Sequence, residues 1–211
     1  MEILCFNTLA STQTYLLDAL KSKEKHAPVC VMAKEQTAGI GSRDNSWEGG
    51  EGNLFFSFAL DIKVLPDDLP LNATAIYFAY LMKKVLEAYS EDIWLKWPND
   101  FYHKNAKVGG IITKKIDTIL LCGIGINLQK NQNSFEALNL NVEPLAILKS
   151  YLDEVEKYPS WKQVFSQYKI EFGRSKAFFA HIDREYKSLE NATLSEDGSL
   201  IIDNKRVYNI R

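Results

Sequence analysis

Hydrophobic and polar positions divide the chain into short strand-like runs and longer helical ones. The strand-like runs are rich in β-branched and aromatic residues and are bounded by polar or glycine-containing segments. They lie at residues 3–5, 29–34, 54–60, 93–96, 108–113 and 118–126. Strands and helices are interspersed, and the predicted fold is an α+β protein whose strands form one central mixed sheet with flanking helices.

Four helices are predicted from apolar spacing, two of them with a capping residue as a start signal. Ser11 and Thr12 precede an apolar pattern that is typical of a capped helix beginning close to a strand end. Two further helices are expected near residues 145–157 and 161–172, with Ser160 as the N-cap of the second.

The longest helical pattern begins at Asn72 and continues to about Ser90. Its apolar residues recur at helical spacing, while Lys83 and Lys84 begin its polar side. This helix is expected to cover one face of the sheet.

The pattern changes from about residue 178. Short strand-like runs at 192–194, 199–202 and 206–210 are separated by turn-rich residues, including Gly198, which can accept a positive φ. About thirty residues cannot bury a self-sufficient core, so this unit should dock on the main domain. The predicted division is 1–177 for the main domain and 178–211 for the small β unit.

Composition describes an ordinary globular chain that carries little net charge. The 211 residues have a formal charge of −2 and are 46% hydrophobic, with no run of membrane-spanning length. This balance gives no global basic surface for nucleic acid. The first nine residues lack the features of a signal peptide, so a cytoplasmic location without membrane contact is expected.

Cysteines and histidines give no metal-binding pattern. Cys5, Cys30 and Cys122 are widely separated in apolar runs, which favours reduced core residues over a disulfide framework. The three histidines likewise lack a paired spacing, so no protein-only metal site is predicted.

The most informative stretch reads Lys96-Trp97-Pro98-Asn99-Asp100, followed by 107–112, Lys-Val-Gly-Gly-Ile-Ile. Lysine supplies compact positive charge, Asn and Asp supply donors and acceptors, and glycine admits close backbone approach. The combination suits an anionic ligand. Ordinary surface lysines beside a turn are the alternative reading.

Two other segments are rich in glycine. Residues 35–47 form a predicted loop of small polar residues, glycines and Arg43, which could wrap phosphate or carboxylate oxygens; a plain surface loop is the alternative. Residues 123–127, Gly-Ile-Gly-Ile-Asn, end an apolar strand, where glycine indicates either backbone against ligand or a bulge.

Taken in order, these segments resemble the biotin protein ligases. The matching pieces are Ser11-Thr12, 36–41, Trp47, 52–54, 96–100, 107–111 and 123–127. They span most of residues 1–177. The resemblance implies the class II synthetase-like catalytic fold and a shortened SH3-like β unit at the C-terminus.

The resemblance also implies a two-step reaction. Biotin carboxylate attacks the α-phosphate of ATP to give biotinyl-5'-AMP and pyrophosphate, and an acceptor lysine then attacks the mixed anhydride. Lys107 occupies the catalytic lysine position, and Arg43, the arginine that remains in the loop, is the second residue expected to act in catalysis. Mg²⁺ is expected to arrive with ATP, near Asp100.

Ligand contacts are implied in the same way. The biotin-binding set is Ser11, Thr12, Gln13, Gln36, Gly39, Ile40, Gly41, Ser42, Lys107 and Gly110. The ATP and adenylate set is Gly41, Ser42, Arg43, Trp47, Lys96, Asn99, Asp100, Lys107 and Asn127.

The chain departs from the family pattern at two places. Ile40 and Ser42 stand where the family loop usually has arginine, so the intermediate is held either by a shifted Arg43 or less tightly. The chain also begins almost at the catalytic core, so no DNA binding is expected. The implied acceptor is a biotin carboxyl carrier protein of acetyl-CoA carboxylase, and the resemblance also suggests a homodimer formed through an exposed sheet.

Two other functions compete with the biotin ligase. A lipoate or octanoate ligase would use a similar core and the same lysine chemistry, but Gln36 and the 96–100 motif favour a bicyclic polar ligand. A non-catalytic biotin-binding module is the other, and the retained Lys107 argues against it.

Overall fold

A central eight-stranded sheet organises the protein, seen in a computed structural model that describes residues 1–41, 46–130, 136–182 and 185–208. The strands are β1 (Glu2–Leu9), β2 (Val29–Ile40), β3 (Ser46–Gly49), β4 (Leu54–Asp61), β5 (Ile93–Lys96), β6 (Asp100–His103), β7 (Ala106–Ile116) and β8 (Ile119–Ile126). Their order is β1-β2-β4-β8-β7-β6-β5, with β3 paired to β2. The β1–β2 pair is parallel and the other pairs are antiparallel, which confirms the expected mixed sheet.

Four α-helices flank this sheet: α1 (Thr12–Lys21), α2 (Thr74–Leu86), α3 (Pro144–Val155) and α4 (Trp161–Glu171). Alternation along β2 separates the two faces. Val29 and Val31 pack with Leu16 of α1, whereas Cys30 and Met32 join the larger core that includes α2, α3 and α4. The sheet is therefore covered on both sides.

Helix starts agree with the sequence signals. The Ser11 hydroxyl accepts from the backbone N–H of Thr14 at 3.4 Å and caps α1. Ser160 forms a capping box with Gln163 at the start of α4, with both reciprocal bonds present. The predicted long helix is shorter, since Leu71–Ala73 forms a 3-10 turn and α2 ends at Leu86.

Three interpretations of the sequence are wrong. Lys83 is buried, because its ammonium pairs with Glu171 and Glu87, each at 2.7 Å. Cys5 is exposed, because β1 is an edge strand. Strand β2 continues to Ile40 through part of the predicted loop, because β1 and β3 supply pairing partners along it.

The C-terminal part contains two small sheets. Strands β9 (Phe179–Ile182) and β10 (Glu185–Ser188) pair with each other, and β11 (Thr193–Leu194), β12 (Leu200–Ile202) and β13 (Lys205–Val207) form a second sheet. These strand sheets are consistent with an SH3-like unit. The boundary at residue 178 stays a prediction.

The turn between β11 and β12 docks this unit on the main body. Three successive carbonyls accept hydrogen bonds: Glu196 from the Trp161 indole at 2.7 Å, Asp197 from the Asn72 amide at 2.8 Å, and Gly198 from the Trp97 indole at 3.0 Å. Gly198 has φ +79°, the left-handed conformation for which glycine was predicted here. Within the described part of the chain, no helix is both long and apolar enough to cross a bilayer.

Candidate functional site

A cavity of about 440 Å³ opens between the start of α1 and the strands β2, β4, β7 and β8. Most of the residues predicted to bind ligand line it together: Ser11, Thr12, Gln13, Gln36, Ile40, Gly41, Trp47, Asn99, Asp100, Lys107 and Gly110. The segments that are far apart in sequence thus converge on one space.

One part of the cavity wall is a hydrogen-bonded set of side chains from three elements. The Gln36 side-chain oxygen accepts from the Thr12 backbone N–H at 2.7 Å and from the Thr12 hydroxyl at 3.0 Å. The Ser57 hydroxyl lies 2.9 Å from the Thr12 hydroxyl. Because the Thr12 hydroxyl already donates to Gln36, Ser57 is the donor in this bond. These bonds fix the Gln36 amide, whose –NH₂ group then remains as a donor at the cavity wall.

Gln13 brings an acceptor to the same wall. Its side-chain oxygen is buried and has no hydrogen-bond partner among the described residues. A Cβ placed on Gly123 would come within 2.5 Å of that oxygen, so glycine is needed there to make room for Gln13. An orphaned buried acceptor is costly, and a ligand N–H would satisfy it.

Positive charge enters the cavity from β7. The Lys107 ammonium lies 2.6 Å from one oxygen of Asp100 on β6, and the Lys96 ammonium lies 3.8 Å from the other oxygen. About a third of the Lys107 side chain is exposed, so it can reach a bound anion. The Asp100 carboxylate thus lies between two ammonium groups, of which the Lys107 group is the one on the cavity lining.

Next to this cluster, Tyr102 lies under the Lys96 ammonium, which is 5.4 Å from the ring centre. Burial, followed by the negative charge of Asp100, raises the pKa of Tyr102 to about 12. Tyr102 therefore stays neutral at physiological pH.

The loop that carries Asp100 is fixed by Asn99. The Asn99 amide donates to the Ile111 carbonyl at 2.6 Å, and the Asn99 carbonyl accepts from the Ile111 N–H at 3.0 Å. A Cβ on Gly110 would make only ordinary contacts of 3.5–3.8 Å, so this glycine keeps space open beside Asp100 and Lys107.

Trp47 on β3 closes one side of the cavity. Its ring centre is 5.9 Å from the Lys107 ammonium. A Cβ on Gly125 would approach that ring to 2.8 Å, and one on Gly39 would approach the Trp47 carbonyl to 2.4 Å. A side chain at either glycine would clash with Trp47, so the position of Trp47 requires glycine at both.

Five predicted site residues are not among the described lining residues. Gly39 lies in the β2–β3 pairing, and the Lys96 side chain is largely buried beside Asp100. Asn127 is buried, and its amide donates to the Glu136 carbonyl at 3.3 Å. Ser42 and Arg43 lie outside the described residues. Ile40 lines the cavity and is 48% exposed, which places an apolar side chain where the family pattern has arginine.

Sequence reasoning missed Ser57, Phe56 and the isoleucines of the cavity wall, Ile111, Ile112 and Ile124. Ser57 gave one usable signal, because it is the single polar residue inside the fully buried strand Leu-Phe-Phe-Ser-Phe-Ala-Leu of β4. The apolar wall residues resemble any other core position in sequence and gave none.

The described residues contain no group of three or more His, Cys, Asp or Glu side chains that could hold a metal ion. Asp100 is the one carboxylate among the described lining residues, and it already faces Lys107. The residues therefore do not fit a protein-held Mg²⁺ cage, and a Mg²⁺ ion would depend on ligands that a nucleotide supplies.

The arrangement combines a polar wall that offers a donor and an acceptor, an apolar floor, and an ammonium group. Such a cavity can hold an uncharged ring system by its edges. It can also bring two anionic groups together beside Lys107, because a preorganised cation stabilises charge that develops during reaction.

Comparisons with known proteins agree with the motifs. A model of the biotin/lipoate A/B protein ligase family matches residues 5–131. The bifunctional ligase/repressor BirA of Bacillus subtilis is 29% identical over 147 residues, which is 64% of this chain and 42% of that protein. The chloroplastic biotin–protein ligase 1 of Arabidopsis thaliana is 28% identical over 174 residues, or 77% and 43% of the two chains.

A solved structure is similar over nearly its whole length. The crystal structure of biotin acetyl coenzyme A carboxylase synthetase from Helicobacter pylori with bound biotinylated ATP has a TM-score of 0.93 and 41% identity. The match covers 98% of this chain and 99% of that one. By contrast, the chain spans less than half the length of the two curated relatives it matches.

Proposed function

The chain belongs to the biotin/lipoate A/B protein ligase family, and on that premise we propose that it activates biotin with ATP and transfers the biotinyl group to a protein lysine. In the first step the biotin carboxylate oxygen bonds to the α-phosphorus while the bond to the β-phosphate bridging oxygen breaks. Biotinyl-5'-AMP forms and pyrophosphate leaves. In the second step a lysine amine attacks the anhydride carbonyl, AMP leaves, and the amine gives up a proton.

The observation that supports this proposal is that hydrogen-bonding groups for a polar ring and a cation for anionic groups line the same cavity. The ureido ring of biotin has N–H donors and a carbonyl acceptor, which complement the orphaned Gln13 oxygen and the Gln36 –NH₂ group. Lys107 supplies the cation that two approaching anions require. Both features belong to the same lining.

Lys107 is assigned the central role in the chemical step. Its ammonium neutralises the biotin carboxylate as it approaches the α-phosphate and then stabilises the charge on the phosphorus oxygens. Asp100, 2.6 Å away, holds the ammonium in place, and Asn99 fixes the loop on which Asp100 sits. Ser11, Thr12, Gln13 and Gln36 form the biotin-ring side, with Gly39, Ile40, Gly41, Ser42 and Gly110 completing the proposed biotin set.

Several of the residues proposed to bind the nucleotide lie around Lys107 and Asp100. Trp47 presents an aromatic ring beside Lys107, which suits a planar base or the ribose next to it. Lys96 adds positive charge behind Asp100. Arg43 and Asn127 complete the set that the family pattern implies. Mg²⁺ would come bound to ATP phosphates and help neutralise them.

Partner and location are proposed at a coarser level. The Helicobacter pylori protein is called an acetyl coenzyme A carboxylase synthetase, which supports a biotin carboxyl carrier protein as the acceptor here. A cytoplasmic location, the absence of DNA and membrane binding, and a possible homodimer stay predictions.

Two observations favour this function over its competitors. A lipoate or octanoate ligase needs an apolar channel, whereas the Thr12, Gln36 and Ser57 set places hydrogen-bonding groups in the cavity wall. A non-catalytic binding module would not need the Lys107 ammonium beside Asp100.

The decisive test is pyrophosphate release from ATP with biotin, lipoate, octanoate or no acid, followed by addition of a biotin carboxyl carrier domain. Biotin-dependent release followed by transfer to the carrier lysine is expected. Release only with lipoate or octanoate would establish the family chemistry with a different acid. Biotin binding without release would favour the non-catalytic module.

A further inference from the structure

Trp97 belongs to the most distinctive motif of the chain, yet it does not line the cavity. The residue is only 2% exposed. Its indole N–H donates to the Gly198 carbonyl at 3.0 Å, and its backbone N–H donates to the Ser175 hydroxyl at 3.1 Å. Both acceptors belong to the part of the chain after residue 171, here called the C-terminal segment.

The residues that follow Trp97 make their contacts with strand β7, on the side of the cavity. Two positions later, Asn99 exchanges two hydrogen bonds with Ile111 of β7, and Asp100 pairs with Lys107. Residues 97–100 are therefore fixed to the C-terminal segment at one end and to the cavity at the other.

A further contact holds the strand that enters this loop. The backbone N–H of Leu95 donates to the carboxylate of Glu171, at the end of α4. That carboxylate also pairs with the buried Lys83 ammonium at 2.7 Å. The path of the chain into residues 97–100 is thus determined largely by groups that lie outside the cavity.

We propose that Trp97 is a positioning residue that aligns Asn99 and Asp100, and through Asp100 the Lys107 ammonium, with the C-terminal segment. This inference rests on the proposed ligase function for its kinetic consequence. The hydrogen-bonded connection between the Gly198 turn and residues 97–100 does not depend on that function.

The same turn supplies the matched comparison. Trp161 also donates its indole N–H to the turn, at Glu196, and it is also nearly buried, at 5% exposure. Trp161 is the first residue of α4, and neither Ser160 nor Lys162 beside it is among the described residues that line the cavity. Replacing either tryptophan removes one indole hydrogen bond and similar volume, but only Trp97 adjoins Asn99 and Asp100.

The experiment compares Trp97→Phe with Trp161→Phe by steady-state kinetics and amide hydrogen exchange. Displacing reacting groups by about 1 Å can cost a hundredfold in rate, so Trp97→Phe is expected to lower kcat for pyrophosphate release roughly tenfold. KM for biotin should stay within about twofold, because the ring contacts at Thr12 and Gln36 lie on other elements. Exchange should rise in a peptide covering residues 96–103. Trp161→Phe should lower the melting temperature but change neither kcat nor exchange in that peptide.

A smaller change guards against misfolding. Ser175→Ala removes the hydroxyl that accepts from the Trp97 backbone and leaves both tryptophans in place. It should reproduce the fall in kcat in weaker form, whereas Ser166→Ala on the exposed side of α4 should not.

The outcomes separate this inference from the proposed function. Equal kinetic and exchange behaviour of the Trp97 and Trp161 variants would overturn the positioning role. A wild-type protein without biotin-dependent pyrophosphate release would overturn the proposed function, and the exchange comparison would then decide the coupling by itself.

Discussion

The Lys107 ammonium and the Asp100 carboxylate lie 2.6 Å apart, on neighbouring strands β7 and β6. Asp100 forms an ion pair with Lys107, and the adjacent Gly110 leaves the space beside them open. An anionic ligand that enters this space meets a cation already held in position. The lysine side chain is therefore ordered before the ligand arrives, so binding does not carry the entropy cost of ordering it.

Replacing Lys107 with alanine should abolish adenylation and leave the fold intact. Losing a preorganised group that stabilises transition-state charge typically costs about 10²–10³ in kcat, and a partly exposed side chain contributes little to stability. Biotin-dependent pyrophosphate release and thermal unfolding would be measured together. Lys114→Ala, an exposed position on the same strand, is the control and should behave as wild type. Normal release by a folded Lys107→Ala protein would refute its assigned role.

Replacing Thr12 with valine should weaken biotin binding while preserving the shape of the side chain. The substitution removes the hydroxyl that links Ser57 to Gln36, so the Gln36 amide is no longer held for the ligand; a hydrogen bond of this kind contributes about 0.5–1.5 kcal/mol. The dissociation constant for biotin should rise about tenfold, measurable by calorimetry. Thr14→Val, two residues along α1, should leave it unchanged. Equal affinity in both variants would show that the Thr12 set does not hold the ligand.

Replacing Gly198 with alanine should destabilise the protein. The residue has φ +79°, and a Cβ there would lie 3.1 Å from Ile76 and 3.2 Å from Ala73. Strain of this kind costs about 1–3 kcal/mol, which urea denaturation would detect. Gly173→Ala is the matched control, since a Cβ there meets no atom within 4 Å. An unchanged denaturation midpoint for Gly198→Ala would mean that the turn can shift freely.

Asp197 should make stability depend on pH at the acidic end. Partial burial opposes ionisation, but hydrogen bonds from Ser199 and the charge of Arg206 outweigh it and hold the pKa of Asp197 below its usual value. A carboxylate whose pKa is lower in the folded state stabilises that state above its unfolded pKa of about 3.9. This contribution is lost as pH falls through the folded-state pKa.

The corresponding measurement compares wild type with Asp197→Asn by urea denaturation at several pH values. The variant should be less stable at pH 7, and the difference should shrink as the pH falls below about 4, where the unfolded chain binds a proton more readily than the folded Asp197 does. Asp203→Asn, in the exposed turn before β13, serves as the control. A stability difference that stays constant from pH 7 to pH 3 would contradict the role of the Asp197 charge.

Much of the fold could be predicted because local signals and packing agree. Strand β5 was predicted with its observed bounds, and the caps of α1 and α4 were predicted from Ser11 and Ser160. Strands β3, β6, β9 and β10 were not predicted, and β3 and β6 contain polar, acidic or glycine residues that are typical of turns. Their strand geometry depends on neighbouring strands distant in sequence.

The candidate site was predictable for a different reason. Thr12, Gln36 and Lys107 stand in motifs whose residue types carry chemistry, so their convergence could be expected from sequence. Ser57 reaches the cavity because β4 brings its hydroxyl within 2.9 Å of the Thr12 hydroxyl, a contact between residues 45 positions apart that sequence alone does not predict. Lys83 illustrates the same limit, because its burial depends on Glu171, which is 88 positions later in the chain.

The docking of the C-terminal unit has a consequence for how freely its sequence can change. The three hydrogen bonds at residues 196–198 are accepted by backbone carbonyls. They therefore depend on the backbone conformation of the turn and not on its side chains. Gly198 is tied to residue type through its φ value, and Leu200 and Ile202 beyond the turn are tied to it by their burial in the core of the main domain. The exposed Glu196 is therefore the position of the turn at which evolution can vary the side chain most freely, whereas the two apolar residues must keep their size.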